Sequence, residues 1–398
     1  MTAAILFGLF ALTLVGIARF HKQALQIAIG GLTAVLVCRL LLTDFALGSH
    51  LAHEWRILAN LAGLLLGFAV LANHFERSNL PETIAQVLPP GRKGAFLLLV
   101  MVACLSAVLD NIAAALIGGS TAITLFRRKV HIGYLAAIVA ASNAGGAGSV
   151  IGDTTTTMMW IEGASPLWVV EAGIGAAVAI LFFGFFASKQ QHALQPLVRS
   201  EHAPPPVDLG QLTIVGLIIA GAILTNVFLD FPAAGVWGAI LVGAFLRRPD
   251  WRVLPPASTG TLFLLCLVLT ASMMPVESLP EPTAWTTLGL GFVSAFFDNI
   301  PLTKLAIDQD GYDWGMLAYA VGYGGSMLWF GSSAGVAISG LFTEAKSTKN
   351  WLLNGWHVAV GYVLGFLTML VVLGWHAHPI KEGHQGTGGQ PPTANGHR

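Results

Sequence analysis

Six stretches of this chain, at 2–18, 24–42, 57–72, 167–187, 212–229 and 356–374, run almost without charge. A helix crossing a bilayer needs about 20 mainly apolar residues, because a rise of about 1.5 Å per residue must cover about 30 Å of hydrocarbon. Repeated matches to that length constrain the fold more than any other feature. Composition agrees, with 55% of the 398 residues hydrophobic and 10% charged and a mean hydropathy of +0.72. Such values suit a chain dissolved in lipid. The expected class is an all-α polytopic membrane protein whose main partner is the lipid bilayer.

Twenty basic and twenty acidic residues cancel, so no excess charge calls for nucleic acid or another polyanion. Cys38, Cys104 and Cys266 lie in apolar runs, where buried packing residues are expected rather than disulfides or metal ligands. The first run lacks a basic segment before it, and Arg19, His21 and Lys22 follow it, so an uncleaved helix is expected.

The elements fall into two similar sets. Helices near 2–19, 23–42 and 55–72 precede two short apolar arms that form a hairpin, 95–126, turning at Asp110-Asn111. A long stretch at 132–161 and a helix at 166–187 complete a first repeat, 1–187. Residues 188–210, with Pro204-Pro205-Pro206, read as a linker. In the second repeat, 211–375, helices near 211–230, 233–247 and 257–275 precede a hairpin at 284–306 that turns at Asp298-Asn299. A long stretch at 314–342 and a helix at 351–374 close it. The tail, 376–398, is polar and Gly/Pro-rich and reads as disordered despite His376, His378 and His384.

The repeat is also visible in the letters. Ser106-Ala107-Val108-Leu109-Asp110-Asn111-Ile112 matches Ser294-Ala295-Phe296-Phe297-Asp298-Asn299-Ile300. Gly145-Gly146, five residues, then Gly152 matches Gly324-Gly325, five residues, then Gly331. Two motifs recurring in one order indicate an internal duplication. Cytoplasmic loops collect Lys and Arg. With the Arg19/Lys22 joint inside and both hairpins re-entrant, every basic residue except Arg39, Arg56, Lys304, Lys381 and Arg398 falls inside. The two hairpins then open to opposite sides. The expected architecture is therefore two inverted repeats of five transmembrane helices, each with a re-entrant hairpin and a discontinuous helix. Both termini lie outside, in a bacterial-type inner membrane.

The stretch 132–161 is about ten residues longer than a span needs. Its middle holds Gly145, Gly146, Gly148 and Gly152 beside Asp153 and Thr154, and each glycine costs about 1 kcal/mol of helix stability against alanine. Glycines there can serve close helix packing, but packing does not require an adjacent acid, so an unwound joint is expected. Irregular chain at membrane depth survives only inside protein or beside water. Exposed carbonyls at such joints attract cations and half-helix N-termini attract anions. The twin joint carries Ser332-Ser333 in place of Asp153-Thr154.

Candidate ligands at the tips and joints are Asp110, Asn111, Asn143, Asp153, Thr154, Asp298, Asn299, Thr303, Ser332 and Ser333, with backbone joints at Gly145, Gly146, Gly152, Gly324, Gly325 and Gly331. All the side chains are oxygen donors, which suits a hard cation. Low dielectric disfavours the charged form of a carboxyl, so an intramembrane acid can exchange a proton for a metal ion. Na⁺ held by Asp110, Asp153 and Asp298 is the expected ion site. Glu171 is a fourth intramembrane acid, either a relay or a helix end facing water. Lys304 could neutralise Asp298 or Asp153, bind an anion, or snorkel outward.

At these residues the chain resembles the ion-transporter superfamily of arsenite permeases, divalent-anion/sodium symporters and NhaD-type sodium/proton antiporters, and the NhaD type most. The resemblance rests on Asp110-Asn111, Asn143-Ala144-Gly145-Gly146 and Gly152-Asp153-Thr154-Thr155-Thr156. In the second half it rests on Asp298-Asn299-Ile300-Pro301-Leu302, Gly324-Gly325-Ser326 and Gly331-Ser332-Ser333-Ala334-Gly335. It covers the chain to about residue 374. It implies Na⁺ or Li⁺ efflux driven by H⁺ entry, with no cofactor. It also implies a moving domain of hairpins and broken helices, and a scaffold of the remaining helices that is often a homodimer. The runner-up is a sodium-coupled symporter of a carboxylate or related oxyanion, with Lys304, Ser332 and Ser333 on the anion. A channel or structural subunit would not need duplicated breaks with central acids. An enzyme lacks a Ser/His or His-x-x-x-His pairing at span depth, where His357 is the one expected histidine.

Overall fold

The computed structural model describes residues 2–20, 23–197 and 206–379. Among them the chain is helical, with short 3₁₀ turns and no strand. The first half contains α1 (Thr2–Arg19), α2 (Ala24–Leu42), α3 (Leu47–Arg77), α4 (Leu80–Val87), α5 (Arg92–Ser106) and α6 (Asn111–Leu125). It continues with α7 (Ile132–Ala147), α8 (Thr154–Ile161), α9 (Pro166–Val170) and α10 (Ala172–Leu194). The second half contains α11 (Leu209–Leu229), α12 (Pro232–Gly243), α13 (Leu254–Ser272), α14 (Ala284–Ser294) and α15 (Asn299–Gln309). Then come α16 (Trp314–Gly324), α17 (Ser333–Leu341), α18 (Thr348–Asn354) and α19 (Trp356–Val372).

Among the described residues five elements are long and apolar enough to cross a bilayer: α2, α3, α9 with α10, α11, and α13 with the turn before it. α18 and α19 make a sixth, bent by 58°. Leu41, Phe228, Phe245 and Val371 all point outward, giving an apolar surface suited to hydrocarbon. This is a multi-pass membrane protein.

The centre is built from small residues. α7 and α16 are buried along nearly their whole length, and Ala136, Ala137, Ala140, Ala141 and Ala144 let neighbouring backbones come close. A Cβ on Gly145 would collide with the Ala103 carbonyl of α5, and one on Gly324 with the Gly291 carbonyl of α14. Gly145, Gly146 and Gly324 thus lie within their helices as close-packing residues, whereas Gly152 and Gly331 lie in the unwound chain. Gly152 and Gly331 are closely packed too, a Cβ there meeting the Ser106 and Ala295 carbonyls, so both readings of the glycines hold.

The helices pack as two groups. α1, α2, α3, α11, α12 and α13 contact one another, while α5 to α8, α10, α14 to α17 and α19 form the other network. α3 against α8 and α13 against α15 join them. α10 and α19 pack on α7 and α16, so these two helices accompany the broken ones instead of the scaffold in which the remaining helices were expected. Contacts come in exchanged pairs: α2 with α13 and α12 with α3, α6 with α17 and α15 with α8, α10 with α5 and α19 with α14.

The ends of each helix pair meet. Tyr134 donates to the Ala95 carbonyl and sets its ring edge-on to Phe126, with centroids 5.3 Å apart. In the second half, Gln309 Nε2 donates to the Pro280 carbonyl over 2.8 Å. α10 has contacts near both places. At its last turn Gln191 bonds the Lys129 carbonyl at 3.0 Å and the His131 amide at 2.8 Å. Before its start Trp168 stacks on His378 at 4.4 Å; His378 bonds the Tyr312 carbonyl at 3.0 Å, and Tyr312 bonds Gln309 at 2.8 Å. Twenty-three helical residues separate these ends by about 34 Å.

Several boundaries differ from expectation. α3 starts at Leu47 and ends at Arg77; its ends carry Ser49, His50, His53, Glu54, Asn73, His74, Glu76 and Arg77, which a scan for apolar runs passes over. α10 continues to Leu194, so the first residues of the supposed linker are helical; residues 198–205 lie outside those described. His376 and His378 belong to packed structure, with the His376 amide 2.9 Å from Asp313 Oδ2; residues 380–398 lie outside the description. Cys266 is buried, Cys38 half-buried and Cys104 exposed, which corrects the reading of all three as buried. His357 is buried, as is His74 in the last turn of α3, against Gln211.

Candidate ion-binding site

Four helices begin at the centre of the molecule, and each starts on a polar side chain that accepts from its own first turn, the ordinary chemistry of an N-cap. Asp110 caps α6 through Ile112 N (3.2 Å) and Asp298 caps α15 through Ile300 N (3.1 Å). Asp153 caps α8 through Thr155 N (2.9 Å), and Ser332 caps α17 through Gly335 N (3.3 Å). The repeated Asp-Asn-Ile letters therefore encode one local turn twice.

These caps are joined across elements. Asp153 Oδ1 also accepts from the Thr155 hydroxyl at 3.0 Å, while Oδ2 accepts from Asn111 Nδ2 at 3.0 Å. Asn111 Nδ2 donates to Asn143 Oδ1 at 3.1 Å. Asn143 Nδ2 donates to the hydroxyls of Ser326 and Ser332, both at 3.0 Å. One buried chain of amides and oxygens thus runs from the α5–α6 turn through α7 to the break after α16. Beside it the Ser333 hydroxyl donates to Asp298 Oδ2 at 3.2 Å.

Unwinding between α7 and α8 frees carbonyls that lipid cannot satisfy. Thr156 donates to the Ser149 carbonyl at 2.6 Å and Thr157 to the Val150 carbonyl at 2.9 Å. The threonine run therefore holds the irregular chain against α8.

Two cavities touch the acids. One of about 10 Å³, near the size of a single water, lies among Asp110, Asp153, Thr154 and Thr157 and against Leu61, Leu64, Leu65 and Phe68 of α3. The other, about 170 Å³, is lined by Asp298, Ser332 and Ser333 and by Leu14 and Ile17 of α1 with Phe263 and Leu267 of α13. Both lie where the central group meets the outer one.

Among the sequence candidates, the network unites Asn111, Asn143, Asp153 and Ser332, and Asp110, Thr154, Asp298 and Ser333 border it. Thr303 spends its hydroxyl on the Asn299 carbonyl of its own helix at 2.9 Å. Asn299 is buried, and its Nδ2 has no hydrogen-bond partner. Glu171 sits half-buried where α9 meets α10, against Gly315, away from the network. Ser326 and Thr155 were missed. Each stood inside a quoted motif, next to a glycine pair or an acid, and hydroxyl chemistry at a break was the available signal.

Lys304 meets neither Asp298 nor Asp153 and does not snorkel. It is 1% exposed and ion-paired with Asp308 (2.9 Å), Glu54 (3.1 Å) and Glu162 (3.3 Å). Asp308 is one turn along α15, Glu54 comes from α3 and Glu162 ends α8. A cation held by three carboxylates is not available as an anion ligand.

Buried carboxylates, amides and hydroxyls at helix breaks, inside a multi-pass helical protein, define a membrane transporter. The model of the citrate transporter family (CitMHS) matches residues 1–323, and this chain belongs to that family. It is 27% identical over 322 residues to "Sodium/proton antiporter 1" of Arabidopsis thaliana, covering 68% of this chain and 54% of that protein. "Sodium/proton antiporter 2" of the same plant is 26% identical over 327 residues, covering 69% and 75%. "Na(+)/H(+) antiporter NhaD" of Halomonas elongata is 26% identical over 292 residues, covering 59% and 58%. The chain thus spans little more than half of the first of these relatives.

Proposed function

We propose that this chain is an Na⁺(Li⁺)/H⁺ antiporter of a bacterial-type inner membrane. The observation that carries the reading is the Asp153–Asn111–Asn143–Ser332 network with Asp110 and Asp298 at its borders. A carboxylate with one oxygen tied to its helix and the other to a neutral amide has no fixed cation beside it. In a low-dielectric site it must take a metal ion or a proton. Na⁺ binding among Asp110, Asp153 and Asp298 displaces protons, and protons arriving from the other side displace Na⁺. Oxygen donors alone surround the exchange, which suits a hard cation. The names of the relatives support the same ions.

Alternating access follows from the two helix groups. The cavities at Asp110/Asp153 and at Asp298 face smooth apolar walls on α3 and on α1 and α13, surfaces along which the central group can slide. The exchanged contacts support a two-fold relation between halves. Meeting hairpin ends at opposite ends of α10 support re-entrant, inverted hairpins.

A sodium-coupled oxyanion symporter is the second reading, favoured by the family's description and by the unpartnered Asn299 amide, a buried donor next to Asp298 in the chain. Purified protein in liposomes with an imposed pH gradient separates the two. Antiport dissipates the gradient when Na⁺ or Li⁺ is added. No response across a range of pH, together with Na⁺-dependent uptake of labelled citrate or succinate, would transfer the assignment to symport.

A further inference from the structure

A groove of about 670 Å³ runs between α5 and α10, away from the ion site, lined by Phe96, Leu97, Leu181 and Phe185 with Arg92, Lys93 and Ser188 at one end. Leu97, Leu181 and Phe185 are substantially exposed, so the walls face hydrocarbon and an acyl chain fills them in any bilayer. Selection is exerted at the basic end. Arg92 stacks its guanidinium 4.1 Å from the Phe185 ring centre and donates to the Phe185 carbonyl at 3.2 Å. Those contacts fix its position without neutralising it. Among the described residues neither Arg92 nor Lys93 makes an ion pair, and no acid lines the groove. Both cations also sit in the first turn of α5, which holds no acid, where the helix dipole opposes positive charge. No acid of the groove compensates this basic end, so it suits an anion, and the apolar walls beside it suit one that carries an apolar body.

We propose that this groove binds an anionic phospholipid of the surrounding membrane, its phosphate on Arg92 and Lys93 and one acyl chain along Phe96, Leu97, Leu181 and Phe185. The site joins an arm of the first hairpin to α10, so the lipid braces the hairpin against its neighbour. It does not depend on which ions are transported.

Native mass spectrometry of the full chain in mild detergent, titrated with phosphatidylglycerol or with phosphatidylcholine of the same chains, tests it. The wild type should retain one phosphatidylglycerol in preference to phosphatidylcholine. Each surface basic residue contributes about a fivefold gain for an anionic lipid, so Arg92→Gln with Lys93→Gln should weaken retention roughly 10- to 30-fold. Lys349→Gln, an exposed change elsewhere, should leave it unchanged. Should the double variant fail to fold, Lys93→Gln alone, at an exposed position, should weaken it about fivefold. Equal retention of the two lipids by wild type, or of phosphatidylglycerol by wild type and Lys93→Gln, overturns the proposal. Displacement of the lipid by millimolar inorganic phosphate would overturn it too, assigning the basic end to a free anion.

Discussion

Asp153 uses its two oxygens differently. Oδ1 holds the first turn of α8 and Oδ2 takes the Asn111 amide, so the side chain is a cap and a charge at once. Asn and Asp cap helices about equally well, so Asp153→Asn removes the charge and can keep the cap, but its single amide oxygen cannot also accept from Asn111. The variant is expected to insert and fold with a loss of about 1–3 kcal/mol, the cost of the Asn111 amide left without its acceptor, while Na⁺-driven proton movement in liposomes falls to background. Wild-type rates in this variant would remove Asp153 from the exchange. The acids were legible because carboxylates and glycines at membrane depth are costly and conspicuous in an apolar sequence. The partners Ser326 and Thr155 were not, because a serine or threonine in a lipid-embedded helix costs little and most such hydroxyls simply bond their own helix, as Thr303 does.

At the scale of elements, the breaks follow from local chemistry: capping residues start α6, α8, α15 and α17, and threonine hydroxyls replace lost carbonyl partners. That logic was readable along the chain. The cage around Lys304 was not, since Glu54 lies 250 residues away on a polar extension of α3 with no apolar pattern to announce it. Its energetics are asymmetric. Glu54→Gln leaves the lysine two carboxylates, whereas Lys304→Met leaves three acids clustered without a cation. Breaking a buried pair costs about 3–5 kcal/mol when a charge is stranded. Lys304→Met is therefore expected to lower the thermal unfolding midpoint in detergent clearly more than Glu54→Gln does. Equal losses would mean that the three acids do not act together on the lysine.

For the whole molecule, the repeated motifs were visible in letters, but the packing of the helices was not. Nothing in the hydropathy of α10 or α19 says that they join the broken helices, because lipid-facing and protein-facing leucines look alike in a membrane chain. What the packing adds is a pair of anchors on one long helix: Gln191 at its end bonds the Lys129 carbonyl just after α6, and Trp168 before its start stacks on His378. If α10 crosses the bilayer, the first hairpin must open on one side and the second on the other. In a background lacking Cys38, Cys104 and Cys266, single cysteines can read this directly. Lys93→Cys and Arg128→Cys, both at exposed positions, should react with an impermeant thiol reagent only from the cytoplasmic face. Glu281→Cys and Gln309→Cys should react only from the opposite one. Labelling of the first pair from different faces would make the arms full spans and separate the acids that antiport requires together.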